Sequence, residues 1–112
     1  MAIKLGHHSF YGPVTSVDKI RARSGVYTIV CNVEREYFLV DVGESSRVRT
    51  RIENHENKDC WTKNCTGQLQ IYVHYTPFLK QKERIHIEQE LRELYQPECK
   101  MDNKIWLQDV LS

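Results

Sequence analysis

Apolar and polar positions change period along the chain, and each period predicts an element. SGVYTIVCNV and EYFLVDVG alternate or run apolar with many β-branched residues, and the polar pair Glu34 and Arg35 between them has the composition of a turn. Together they predict a β-hairpin. QLQIYVHYTP predicts a third strand, stopped by Pro77. In KQKERIHIEQELRELY the period becomes helical: Ile87, Leu91, Leu94 and Tyr95 share one face, Lys and Glu fill the rest, and Pro97 ends the helix. After Gly43, Ser45 or Ser46 can cap a short helix in which Val48 and Ile52 face the core one turn apart, with an end near His55. Residues 56–67, rich in Asn, Lys, Asp, Thr and Gly, read as a loop. Residues 1–23 show no sustained period apart from a short helix around residues 16–21, and read as an N-terminal extension packed on the domain. In the tail, residues 101–112, Ile105, Trp106, Leu107, Val110 and Leu111 offer enough apolar area to dock as a short strand or helix.

The chain of 112 residues suits one domain. The pattern predicts an α+β fold, a small antiparallel sheet of about three strands flanked by helices, with its core in residues 24–100. Hydrophobic residues make up 40% and charged residues 28%, an ordinary globular composition that excludes a disordered chain. No apolar stretch approaches the roughly 18 residues of a membrane span, and the N-terminus has no apolar segment of signal-peptide length. The expectation is therefore no membrane association and a cytoplasmic location. There Cys31, Cys60, Cys65 and Cys99 would be free thiols without disulfides. Cys60 and Cys65, with His55 and His74, lack a second matched pair of ligands, so zinc is not expected.

The formal net charge of +1 removes any global basic excess, so a site for nucleic acid must be local. Residues 44–65 hold five Lys/Arg against four Asp/Glu, so position rather than total charge carries the signal. On a helix, Arg47, Arg51 and His55 are spaced by four and form one ridge. That ridge starts just after a glycine at a strand end, where backbone can approach a ligand and a helix N-terminus favours anions. A phosphate is its natural partner.

Four short motifs, in order, resemble those of the GIY-YIG nucleases, a family named for two motifs on adjacent antiparallel strands. Gly25, Val26 and Tyr27 match the first. Asp41, Val42 and Gly43 take the place of the second, keeping its apolar centre and glycine, with Asp41 where the family has tyrosine. Arg51 stands eight residues after Gly43 and His55 four beyond it, as in the family. EQELRELYQP supplies a helical glutamate, Glu88, and Pro97, with Lys100 where an asparagine often falls.

The resemblance implies a metal-dependent endonuclease that hydrolyses phosphodiester bonds in DNA. Glu88 would hold Mg²⁺ or Mn²⁺, hard ions that prefer carboxylate and water oxygens. Arg51 would hydrogen-bond the scissile phosphate. Tyr27 would position or deprotonate the attacking water, helped by His55. Gly43, Ser45, Arg47 and Lys100 would meet the nucleic acid. Asp41 would add a metal contact or repel phosphate; Tyr37, on the same strand face but about 13 Å away, is too distant to replace the missing phenol. These departures imply weakened catalysis and an alternative of the same fold, a catalytically degenerate module that binds nucleic acid or a protein without cleaving. No appended reader fits in this length, so sequence specificity would come from a protein partner or be absent.

Plainer chemistry competes for the same residues. Glu88 lies four residues from both Arg84 and Arg92, which reads as a solvated ion-pair face. Tyr27 reads as a core tyrosine. Arg51 and His55 read as an exposed face balanced by Glu53 and Glu56, although those acids fall on other sides of the helix. Trp61 and Trp106 read as core rather than interface.

Overall fold

A computed structural model describes residues 2–99. The sheet has five strands rather than about three, because the N-terminal segment is not an irregular extension. It folds as β1 (Ala2–Leu5) and β2 (His8–Val14), an antiparallel pair turned at Gly6. In these short strands only Ile3, Leu5 and Phe10 alternate inward, too few positions to register as a period. The expected helix near residue 16 is a single 3₁₀ turn, Val17–Lys19.

The hairpin forms as the pattern requires. β3 (Gly25–Val33) pairs with β4 (Glu36–Ser45), and Glu34 and Arg35 both take positive φ, 50° and 69°, the twist a two-residue hairpin turn needs. α1 (Val48–Glu53) is shorter than expected and begins at Arg47 without a side-chain cap. A second short helix, α2 (Lys58–Lys63), occupies part of the segment read as loop; its one buried residue, Trp61, leaves no periodic signal. β5 (Gln68–Tyr75) pairs with the free side of β3, and β2 adds to β5, giving the order β1-β2-β5-β3-β4. α3 (Gln81–Tyr95) closes the described fold.

The two sheet faces carry separate cores. Ile20, Tyr27, Ile29, Val48, Ile52, Trp61 and Val73 pack on the α1 and α2 side. Phe10, Val26, Val30, Leu39, Val42, Ile87 and Leu91 pack on the α3 side. Leu94 and Tyr95, expected on the buried face of α3, are 59% and 42% exposed. Arg84, Glu88 and Arg92, also spaced by four, are buried instead.

All four cysteines are oxidised, in the pairs Cys31–Cys65 and Cys60–Cys99, so the expected free thiols are absent. Each bridge closes a long loop, with separations of 34 and 39 residues, through proximity that only the tertiary fold creates. Cys99 also donates its backbone N–H to the carbonyl of Val40, 2.9 Å away, covering part of the outer edge of β4. Among the described residues no helix is long and apolar enough to cross a membrane. The tail and Trp106 lie outside the described residues.

Candidate active site

Tyr27 lies opposite Gly43 across the hairpin. Its ring occupies the space that a side chain on Gly43 would fill, and an added β-carbon would overlap both Oη and Cζ. This close approach explains why a glycine stands at residue 43. Gly25 is similarly constrained, since a β-carbon there would come 2.6 Å from the carbonyl oxygen of His74 on β5.

Around that contact is a cavity of about 30 Å³, lined by Tyr27, Gly43, Arg51, His55, Glu88 and Arg92 among others. Its floor comes from β3 and β4, and its sides from α1 with the turn after it and from α3. All four residues expected to act in catalysis therefore meet at one place. The volume suits one water or one ion, not a nucleotide.

Glu88 is 1% exposed, and neither carboxylate oxygen has a hydrogen-bond partner among the described residues. The arginines one turn away on either side do not pair with it. Arg84 donates from Nε to Glu44, 2.9 Å away, and Arg92 donates to Asp41, 2.8 Å away. The solvated ion-pair face read from sequence is thus a buried stripe that reaches β4 and strands Glu88. Burial pushes its carboxyl up to about 8, against a partial lowering by Arg92.

The Asp41 oxygens are committed within the protein. They accept hydrogen bonds from Trp61 Nε1 at 2.7 Å, Arg92 at 2.8 Å, the backbone N–H of Val42 at 2.8 Å and Asn57 at 3.4 Å. A register shift between Ile29 and Val30 makes Val40 a bulge residue. Val40 and Asp41 consequently share the α1 side, and Tyr37, expected on the face of Asp41, falls on the other.

Tyr27 is buried, which pushes its phenol well above the ordinary 10.0, although the nearby Arg51 guanidinium opposes the shift. Arg51 also reaches the Tyr27 hydroxyl, but both arms of its fork go to Glu56, at 2.6 and 2.9 Å. α1 stops at Glu53, so the chain turns back and brings Glu56 to an arginine that a continuous helix would have held away from it. Burial, followed by the Arg51 charge, lowers the affinity of His55 for a proton. Its Nδ1 accepts the Asn57 N–H at 3.0 Å, which leaves the proton of the neutral ring on Nε2. Its ring meets that of Tyr27 edge-on, with centroids 5.8 Å apart.

The residues expected to touch nucleic acid divide. Gly43 lines the cavity, Arg47 is exposed just before α1, and Ser45 accepts the Arg47 N–H at 2.9 Å. Lys100 lies outside the described residues. Of the two acids read as balancing Arg51, Glu56 makes the contact; sequence reasoning missed Asp41 and Arg92 as organisers of the site, and the one available signal was a pair of acids on β4, Asp41 and Glu44, with a pair of arginines on α3 to receive them.

The cavity can be tested against a divalent ion. Among the described residues no three His, Cys, Asp or Glu side chains gather as a ligand set, and Glu44 is taken by Arg84. The donor is one buried carboxylate with both oxygens unused among the described residues, hard-oxygen chemistry that suits Mg²⁺ or Mn²⁺, in a cavity with room for the ion but not for a full water shell. No family model, curated protein or solved structure matches this chain.

Proposed function

We propose that the chain is a metal-dependent endonuclease that hydrolyses phosphodiester bonds in DNA, similar in plan to the GIY-YIG nucleases. The observation that carries this reading is the meeting of Tyr27, Arg51, His55 and Glu88 around one cavity, with the Glu88 carboxylate unpartnered among the described residues.

In this reading Glu88 would hold Mg²⁺ or Mn²⁺, a charge that would lower the pKa of water beside it, so that the proton of the attacking water passes to solvent, and would offset charge on the leaving 3′-oxygen. Arg51 turns from Glu56 to the scissile phosphate, where its planar fork matches the oxygens of the transition state. Tyr27, kept protonated by burial, orients the attacking water rather than taking its proton. His55, neutral and held through Nδ1, packs against Tyr27 and fixes its ring.

A specific observation favours the second reading, a degenerate binding module: the Arg51 fork is already satisfied by Glu56. The compartment belongs to the same proposal. The cytoplasmic expectation rested on the lack of an apolar segment of signal-peptide length, and two disulfides favour an oxidising compartment instead.

The test is supercoiled plasmid and, separately, single-stranded circular DNA, each incubated with the full chain, disulfides intact, in Mg²⁺, Mn²⁺ or chelator, beside Glu88→Gln. Metal-dependent nicking by the wild type that falls at least about 100-fold in the variant supports the nuclease. Absence of cutting by folded wild type moves the assignment to the binding module. Equal cutting by both proteins removes Glu88 from the site.

A further inference from the structure

The fold assembles a basic surface that the sequence keeps in two pieces. Residues 17–24 and 45–52 contain six Lys/Arg, namely Lys19, Arg21, Arg23, Arg47, Arg49 and Arg51, against the single acid Asp18. The net charge of the whole chain is only +1, so this concentration is local. Three contacts bind the two segments together. The Val48 N–H donates to the Arg23 carbonyl at 2.9 Å, and Arg49 donates from Nε to the Val17 carbonyl at 3.3 Å and from its fork to that of Asp18. Arg49 is thereby structural. Lys19, Arg21, Arg23 and Arg47 are exposed, and among the described residues no ion pair ties them.

Beside them runs an open groove of about 510 Å³ lined by Tyr11, Pro13, Lys19, Arg21 and Tyr75. Tyr75 is fixed there by its hydroxyl, which accepts the Arg21 N–H at 3.0 Å, while Tyr11 is 57% exposed. The strand register relates this groove to the cavity. Tyr11 is paired with Val73, Val73 with Tyr27, and Tyr27 with Gly43, in one row across four strands. Paired residues point to the same face, so Tyr11 and Tyr27 share it about 10 Å apart, two strand spacings.

We infer that Tyr11, Lys19, Arg21, Arg23 and Arg47 form a binding track for a single strand of nucleic acid, leading to Arg51 and the cavity. Cations that lack acidic partners take the phosphates, and the exposed Tyr11 ring offers a flat apolar face on which an unpaired base stacks; a base inside a duplex presents no such face. This deepens the nuclease reading by naming the form of its substrate, but binding is read separately from cleavage, so either can fail alone.

The test is fluorescence anisotropy of a fluorescein-labelled single-stranded oligothymidylate, titrated with the full chain in chelator at several salt concentrations. It compares wild type, Arg21→Glu with Arg23→Glu, Tyr11→Ala, and Lys82→Glu at the exposed start of α3. All of these substitutions are at exposed positions, and thermal melts confirm folding. The track predicts an affinity that falls with salt, a loss of more than tenfold in the double reversal with a salt slope shallower by about 1.4, a loss of about tenfold in Tyr11→Ala, and no change in Lys82→Glu. Failure of wild type to bind, unchanged affinity in the track variants, an equal loss in Lys82→Glu, or stronger displacement by blunt duplex than by unlabelled single strand would overturn it.

Discussion

The Tyr27 hydroxyl and ring fill the space that a side chain at Gly43 would need. Adding one methyl group in Gly43→Ala should therefore cost about 2 kcal/mol or more through overpacking. Tyr27→Phe should not rescue it, because Cζ of the ring is overlapped as well as Oη. Thermal melts of the two single variants and the double variant measure both statements; recovery in the double variant would show that the hydroxyl alone makes the contact.

Asp41 and Arg92 form a buried pair in which the acid also receives Trp61. Removing charge from one member leaves the other buried without its partner. Asp41→Asn should destabilise by about 3 kcal/mol or more, and Asp41→Tyr, which introduces the residue the GIY-YIG nucleases carry in their second motif, should be worse because no space exists for the ring. Urea denaturation reads the size of each effect. A stable Asp41→Tyr protein with enhanced cleavage would contradict the structural role given to Asp41.

Glu88 sets a distinctive dependence on pH. Burial pushes its folded carboxyl up to about 8, above the ordinary 4.5, so between those two pH values the folded state holds a proton that the unfolded state has released. Stability must then fall as pH rises through that window, by an amount on the order of a few kcal/mol. Glu88→Gln should abolish this component and exceed wild type in stability at pH 8. Melting curves of both proteins from pH 4 to 9 check it, and parallel profiles would rule it out.

The two disulfides close loops long enough that each should contribute about 4 kcal/mol through the unfolded chain. Thiol titration of the denatured, unreduced protein should find no free thiol. Reduction should lower the melting temperature by tens of degrees. Four reactive thiols in protein from an oxidising preparation would disprove the pairing.

The turn between β3 and β4 places Glu34 and Arg35 at positive φ, where Asn and Gly are favoured. Replacing both, Glu34→Asn with Arg35→Gly, should add about 1 kcal/mol without touching the site. A melting temperature that drops instead would show that these side chains contribute contacts worth more than the backbone strain.

Legibility in the sequence followed the length of each periodic run. The hairpin, β5 and α3 each have enough positions for a period of two or of 3.6 to stand out. β1 and β2 do not, which is why the expected sheet was two strands short. α2 has one buried residue, Trp61, and so no period. At the site, the order and spacing of Tyr27, Arg51, His55 and Glu88 were legible through a family resemblance. Their surroundings were not. Spacing by four gives Arg84, Glu88 and Arg92 the same pattern on a solvated face as on a buried one; only the position of α3 against Asp41 and Glu44 separates them. A one-residue bulge at Val40 likewise reverses which side chains accompany Asp41, and the strand pattern does not reveal it.

The central claim is that the unpartnered carboxylate of Glu88 is a cation site. Calorimetric titration of Mn²⁺ into the wild type and Glu88→Gln at pH 7, repeated in buffers of different ionisation enthalpy, tests it most directly. Burial pushes this carboxyl up to about 8, so binding at pH 7 should release a proton. The account predicts one saturable site with that release in the wild type and none in the variant. Identical binding by both proteins, or binding without proton release, would contradict it.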